Sequence, residues 1–212
     1  HLRDLSHLVF EVTTLGTGAA LPARGRYPTA QLLNVRDELY LIDCGEGTQE
    51  RLRMAGVNFN RIGRIFISHM HGDHYLGLMG LLSSMHLQGR SRELHVHGPA
   101  DLKEVVHLQL RVSQTYLRYP LHIHAVASVS GEVIMEDDRV TVTALALKHR
   151  LPCTGLVVKE RAGLRSLRKE MLPVIPAYRR AGVKQGEDLL AEDGTVIPNA
   201  ELTLDPPARR SY

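Results

Sequence analysis

The sequence predicts a mixed α/β fold, in which short apolar strands run into helices through turns that carry polar side chains. Two stretches predict it most directly. Arg64-Ile65-Phe66-Ile67 is apolar and rich in strand formers, and a few residues on Tyr75-Leu76-Gly77-Leu78-Met79-Gly80-Leu81-Leu82 reads as the apolar start of a helix. Glu93 to His97 is again strand-like, and Pro99 to Thr115 begins with proline and then places Leu102, Val105, Val106, Leu108 and Val112 at helical spacing. With 212 residues and 43% hydrophobic content, the chain can bury one sizeable core.

The remaining elements follow in order. Phe10 to Thr14 forms a first strand, and the glycines of Leu15-Gly16-Thr17-Gly18-Ala19-Ala20 suggest a tight loop, with a phosphate cradle as one reading. Pro22 to Tyr27 is a second loop, whose Arg24, Arg26 and Tyr27 suit a phosphate and a stacked base. Gln31 to Val35 and Leu39 to Ile42 read as strands joined by a polar turn, and Glu50 to Ala55 as a helix. Asp43 ends the second of these strands, where it serves either as a turn residue or as a carboxylate that orients a ligand histidine. The helix after the central strand runs from His74 to Leu87. In Leu121-His122-Ile123-His124 the histidines alternate with apolar residues, as on a half-exposed strand; no Asp-His follows, so the pair is not counted as a metal site. Val133 to Met135, Val140 to Leu147 and Gly155 to Val158 read as strands, and Leu202 to Asp205 as a last one.

The chemistry concentrates in Ser68-His69-Met70-His71-Gly72-Asp73-His74, a His-x-His-x-Asp-His pattern on the strand-to-helix turn. On extended backbone, His69 and His71 point the same way and can hold one ion together. Gly72 permits a sharp turn, after which Asp73 and His74 can face a second ion. Imidazole and carboxylate donors suit zinc, and two such ions about 3.5–4 Å apart are a common device for phosphodiester hydrolysis. His149, directly after a strand, is placed to return as a third nitrogen ligand.

The chain carries a formal net charge of +3. Residues 159–184 alone hold eight basic residues against two acidic ones, so the whole positive excess lies in one segment. That is the footprint expected for a polyanionic partner. The segment 159–187 reads as a basic arm inserted into the domain. No apolar run reaches membrane-spanning length, and two isolated cysteines, Cys44 and Cys153, suit a reducing, cytoplasmic location.

Four blocks, Leu15-Gly16-Thr17-Gly18-Ala19, Leu41 to Gln49, Ile67 to His74 and Leu204-Asp205-Pro206-Pro207, occur here in the order seen in the ribonuclease Z family. The chain resembles these tRNA 3′-end processing endonucleases of the metallo-β-lactamase superfamily over residues 9–212. The resemblance implies the N-terminal part of an αββα sandwich with a basic arm, a homodimer, and a precursor tRNA substrate whose 3′ trailer is removed. It also implies two zinc ions: His69, His71 and His149 on one, Asp73 and His74 on the other, with Asp73 positioning the attacking water and Asp43 standing behind the ligands. Arg24 and Arg26 fall in the loop that senses the tRNA end, although Arg24 and Tyr27 stand where the family has lysine and asparagine. Arg161, Arg165, Arg168, Lys169, Arg179, Arg180 and Lys184 fall in the arm that grips the tRNA body. In the family an aspartate that bridges the two ions and a last histidine lie beyond Pro207. The chain ends at Tyr212 before either, so it is expected to be a part of a longer protein or to need a second polypeptide. Two other functions remain open at this stage: a thioesterase or lactonase with the same metal motif, and a non-catalytic RNA-binding fragment.

Overall fold

The computed structural model describes residues 9–191, 193–206 and 208–212, so Pro207 of the last sequence block lies outside the described residues. The chain divides into two compact units, one running to Val158 and including Tyr212, the other spanning Lys159–Ser211.

The first unit opens with β1 (Phe10–Gly16), β2 (Ala30–Val35) and β3 (Glu38–Ile42), an antiparallel meander. Helix α1 (Thr48–Met54) then leads to β4 (Ile62–Phe66), which pairs parallel to β3. A single turn, α2 (Gly72–Tyr75), and α3 (Leu78–Leu87) lead to β5 (Leu94–Gly98), and α4 (Ala100–Val112) to β6 (Leu121–Ala125). These parallel additions complete a six-stranded sheet in the order β1-β2-β3-β4-β5-β6. Crossover helices between parallel strands cover a sheet face, which is why the helical and strand patterns alternate from residue 48 onward. A three-stranded sheet follows, built from β7 (Val133–Glu136), β8 (Val140–Leu147) and β9 (Cys153–Glu160).

Both faces of the large sheet are buried. Leu32, Leu41, Ile65 and Val96 pack on one face with Leu52, Leu81, Met85, Leu102 and Val106 of the helices. Leu33, Tyr40 and Phe66, their neighbours along the same strands, face the other way and pack on Met135, Val140, Val142 and Val158 of the smaller sheet. Successive strand residues alternate in direction, so a strand covered on both faces carries consecutive apolar residues, as Leu32-Leu33 of β2 and Leu39-Tyr40-Leu41-Ile42 of β3 do. The layers are therefore helix, sheet, sheet. Tyr40 also donates a 2.7 Å hydrogen bond to Asp137 Oδ2, and burial together with that carboxylate pushes its phenol well above the ordinary range.

Two expected elements differ. The helix read from His74 to Leu87 is broken after Tyr75, because the His74 carbonyl accepts from the Cys44 N–H at 2.7 Å and the Gly77 N–H donates to the Cys44 carbonyl at 2.9 Å, an approach for which Gly77 leaves room against the Gly45 carbonyl. The chain re-enters helix only at Leu78, so the approach of two loops overrides the apolar run. Leu202 ends α6 (Asn199–Leu202), and only Thr203–Leu204 is strand, where a longer last strand is expected. Thr203 Oγ1 donates to the Asn199 carbonyl at 2.8 Å and so tightens that short helix.

The second unit holds two small ladders, β10 (Ser166–Leu167) with β13 (Thr203–Leu204) and β11 (Leu189–Leu190) with β12 (Val196–Ile197). Its helical segments are α5 (Arg180–Lys184), α6 and two single 3-10 turns. Ile175, Val183, Leu189 and Leu202 form its own small core.

Candidate metal centre

Strands β3 and β4 run parallel and end side by side, so the loops that follow them meet. The Asp43 N–H donates to the Phe66 carbonyl at 2.7 Å, and the Cys44 N–H to the His74 carbonyl at 2.7 Å. Asp43 turns the chain with φ at 56°, a left-handed conformation that aspartate tolerates better than bulkier residues. Gly45 sits against the Asp73 carbonyl and Pro28, where no Cβ would fit. This close weave fixes the backbone from Ser68 to His74.

Three imidazole nitrogens converge above it. His71 Nδ1 lies 2.9 Å from His69 Nε2 and 3.1 Å from His149 Nε2. His149 arrives from the loop after β8 and stands edge-on to both rings, 4.7 Å from His69 and 4.9 Å from His71 between centroids. Three ring nitrogens at this range cannot all be satisfied by one another's protons, since a neutral imidazole has one donor and one acceptor. A divalent cation accepts all three lone pairs, so the donor set fits a metal ion. Burial, followed by the neighbouring His74, His149 and His71, holds His69 down to about 4, leaving it neutral and ready to ligate. The sulfur of Cys153 lies 3.7 Å from His69 Nδ1 and closes the buried side.

Asp73 and His74 form a second pair beside this trio. His74 Nε2 is 3.5 Å from Asp73 Oδ2, and the His69 and His74 rings are 3.9 Å apart. Asp43 stands behind His74, its Oδ2 2.8 Å from Nδ1, and is held in turn by the Ser68 N–H at 2.9 Å and the Ser68 hydroxyl at 3.1 Å. Burial lowers the His74 pKa, but the hydrogen bond and charge of Asp43 outweigh it and the net direction is up. Burial also pushes Asp73 up; the Ala20 N–H, donating to Oδ2 at 2.8 Å, and His74 reverse this and hold the carboxyl below its usual range.

Sequence reasoning did not find that Ala20 donor. Ala20 has φ at 60°, and the glycine-rich loop read as a possible phosphate cradle instead aims an N–H at Asp73. The second loop is tied to the first, because the Gly18 N–H donates to the Tyr27 carbonyl at 2.7 Å. Within it Arg24 and Arg26 are exposed on a tight turn between Ala23 and Arg26. Arg150 was likewise unforeseen; its guanidinium lies 3.4 Å from His71 Nε2.

The basic residues of the second unit differ from one another in role. Arg165 pairs with Asp205 at 2.7 Å and donates to Thr203 Oγ1 at 2.7 Å; Arg180 donates to the Leu172 and Ile175 carbonyls at 3.1 and 3.2 Å. Arg168 stands 3.9 Å from Glu170. Arg161, Lys169 and Lys184 are exposed, and Arg179 is half-buried. Cys44 and Cys153 are both free and buried. Among the described residues no helix is long and apolar enough to cross a membrane.

Comparisons with known proteins bear on the family and the fold. A family model described as Anti-Pycsar protein Apyc1 matches residues 10–164. The curated ribonuclease Z of Bacteroides fragilis is 41% identical over 207 residues, covering 96% of this chain and 68% of that protein. The ribonuclease Z of Cytophaga hutchinsonii is 42% identical over 188 residues, 88% of this chain and 60% of that protein. Among solved structures, the short form of human tRNase Z superposes with a TM-score of 0.64 at 34% identity, over 69% of this chain and 64% of that one. A metallo-β-lactamase fold protein of Bacillus subtilis, YhfI, superposes at 0.54 with 20% identity, covering 77% of this chain and 65% of that one, a likeness of fold. The chain thus spans about two thirds of the length of its relatives.

Proposed function

This chain belongs to the ribonuclease Z family, and over residues 10–164 to the family described by the Apyc1 model, and from that premise we propose that it carries the metal centre of an endoribonuclease acting on precursor tRNA. The observation that carries the reading is the convergence of His69 Nε2, His71 Nδ1 and His149 Nε2 beside the Asp73–His74 pair. In this reading the metal is zinc, His69, His71 and His149 hold one ion, and Asp73 and His74 contribute to a second. When bound, the metal polarises the scissile phosphate and makes an attacking water more acidic.

The chain's own residues do the rest. Asp73, ionised at neutral pH and steadied by the Ala20 N–H, orients the water and accepts its proton. Asp43 fixes the His74 ring by its Nδ1 and leaves Nε2 turned toward Asp73. Water attacks phosphorus as the bond to the tRNA 3′ oxygen breaks and that oxygen takes up a proton, in balance with the one Asp73 accepts, so the trailer leaves with the phosphate and the tRNA keeps a 3′-hydroxyl. Arg24 and Arg26 stand on the exposed turn next to the Asp73-anchoring loop, suited to a phosphate at the tRNA end. In the basic segment the grip falls to Lys169, Arg179 and Lys184, because Arg165 and Arg180 are engaged within their own unit. A cytoplasmic location and a homodimer belong to the same proposal.

The test is cleavage of a 3′-extended tRNA by the purified protein supplied with zinc. Asp73→Ala is expected to abolish cleavage while tRNA binding persists. Retained turnover in that variant, or hydrolysis of thioesters or lactones in place of tRNA, would overturn the proposal; tRNA binding without any cleavage would favour a purely binding role.

A further inference from the structure

A second cluster of metal-type donors lies on different strands. Strands β5 and β6 pair in register with His95 opposite His122 and His97 opposite His124. Each strand carries its histidines two residues apart, so all four fall on one face of the sheet. The rings stack in sequence: His97 on His124 at 4.5 Å, His124 on His95 at 5.2 Å, and His95 on His122 at 4.8 Å. Glu93, just before β5, reaches the same spot, with Oε1 3.4 Å from His95 Nε2 and Oε2 3.6 Å from His122 Nε2. One donor atom from each of Glu93, His95 and His122 lies within 4.8 Å of the others.

We propose that Glu93, His95 and His122 form a second, independent site for a divalent transition-metal ion, which clips edge strand β6 to β5. Two imidazoles and one carboxylate are a donor set that zinc, copper and nickel accept, with a remaining position open to water. The backing of the site supports this assignment separately from the donors. His95 Nδ1 lies 2.9 Å from His124 Nε2, so when His95 ligates through Nε2 its other nitrogen donates to His124. That is the arrangement by which metal-binding histidines are fixed in tautomer and orientation. Arg64, on the neighbouring strand, is the positive charge that such an ion must tolerate, and the Glu93 carboxylate offsets it. The site rests on none of the residues of the first centre and does not depend on the function proposed for it.

The experiment counts bound zinc after equilibrium dialysis. In protein carrying His71→Ala, Asp73→Ala and His149→Ala, which removes ligands to both ions of the first centre, one zinc per chain is expected to remain. Adding His122→Ala should remove it or weaken it at least tenfold, and His124→Ala should weaken it by less. His122 is exposed, so its loss leaves the fold intact, which far-ultraviolet circular dichroism checks. No zinc in the His71→Ala, Asp73→Ala, His149→Ala protein overturns the proposal. So does zinc that His122→Ala leaves untouched, which would place the ion elsewhere. Should the triple variant fold poorly, the same count on otherwise unaltered protein decides, because His122→Ala must then lower the total by one ion.

Discussion

His97 gives the sharpest test of how this fold tolerates acid. Its side chain is buried between Phe66, at 5.0 Å, and His124, at 4.5 Å, and neither ring nitrogen has a hydrogen-bond partner among the described residues. Burial first, then His124 and Arg64, lowers its pKa from 6.5 to about 3. Between those values the unfolded chain binds a proton that the folded chain refuses, so stability rises with pH across this window and falls as acid is added. For one such histidine the loss between about pH 7.5 and about pH 5 comes to about 2 kcal/mol. His97→Phe keeps a ring to stack on Phe66 and removes the titrating group. Any packing cost of the larger ring is independent of pH, so the change in slope isolates the histidine. Urea unfolding of both proteins at the two pH values, with chelator present to keep metals away, should show the variant losing about 2 kcal/mol less than the parent. Parallel losses in the two proteins would refute the reasoning and mean that His97 finds a proton partner in the folded state.

Three further outcomes follow from the same packing. Asp43→Asn keeps the left-handed turn, which asparagine also tolerates, but removes the charge behind His74; metal affinity should fall about 10–100-fold in a chelator competition. Gly77→Ala forces a methyl group into the Gly45 carbonyl and should destabilise the first unit by about 1–3 kcal/mol, read from the urea midpoint. Replacing Lys169, Arg179 and Lys184 with glutamate should weaken tRNA binding and flatten its dependence on salt, and an unchanged salt slope would remove these residues from the proposed grip.

The parts of this centre that were legible in the sequence are those whose geometry is local. His69, His71, Asp73 and His74 lie within six residues on a strand-to-turn segment, and alternation plus one glycine is enough to aim them. The strands beside them were readable because burial on both faces demands short consecutive apolar runs, such as Leu39 to Ile42. His149 is different, since nothing local distinguishes it from His86 or His107; only its place after a strand, and the family pattern, singled it out. What stayed hidden depends on backbone brought together from afar. The Ala20 N–H is invisible as a residue type, and it reaches Asp73 only because two loops meet across 53 positions. The break at Gly77 likewise comes from a carbonyl in another loop, which helical periodicity cannot register.

The histidines of β5 and β6 make the same point from the other side. Leu121-His122-Ile123-His124 lacks the Asp-His that marks the main centre, and read alone it is a strand with a polar face. Register is what changes its meaning, because a parallel neighbour with the same two-residue spacing sets His95 and Glu93 beside it. A slip of one residue between these strands would turn His122 and His124 to the opposite face, where Leu121 and Ile123 now pack against the helices. Those two apolar contacts therefore fix the cluster, and the ability to bind a metal there is a consequence of core packing. Replacing Ile123 with a polar residue should accordingly loosen β6 and weaken zinc at Glu93, His95 and His122, although Ile123 supplies no ligand.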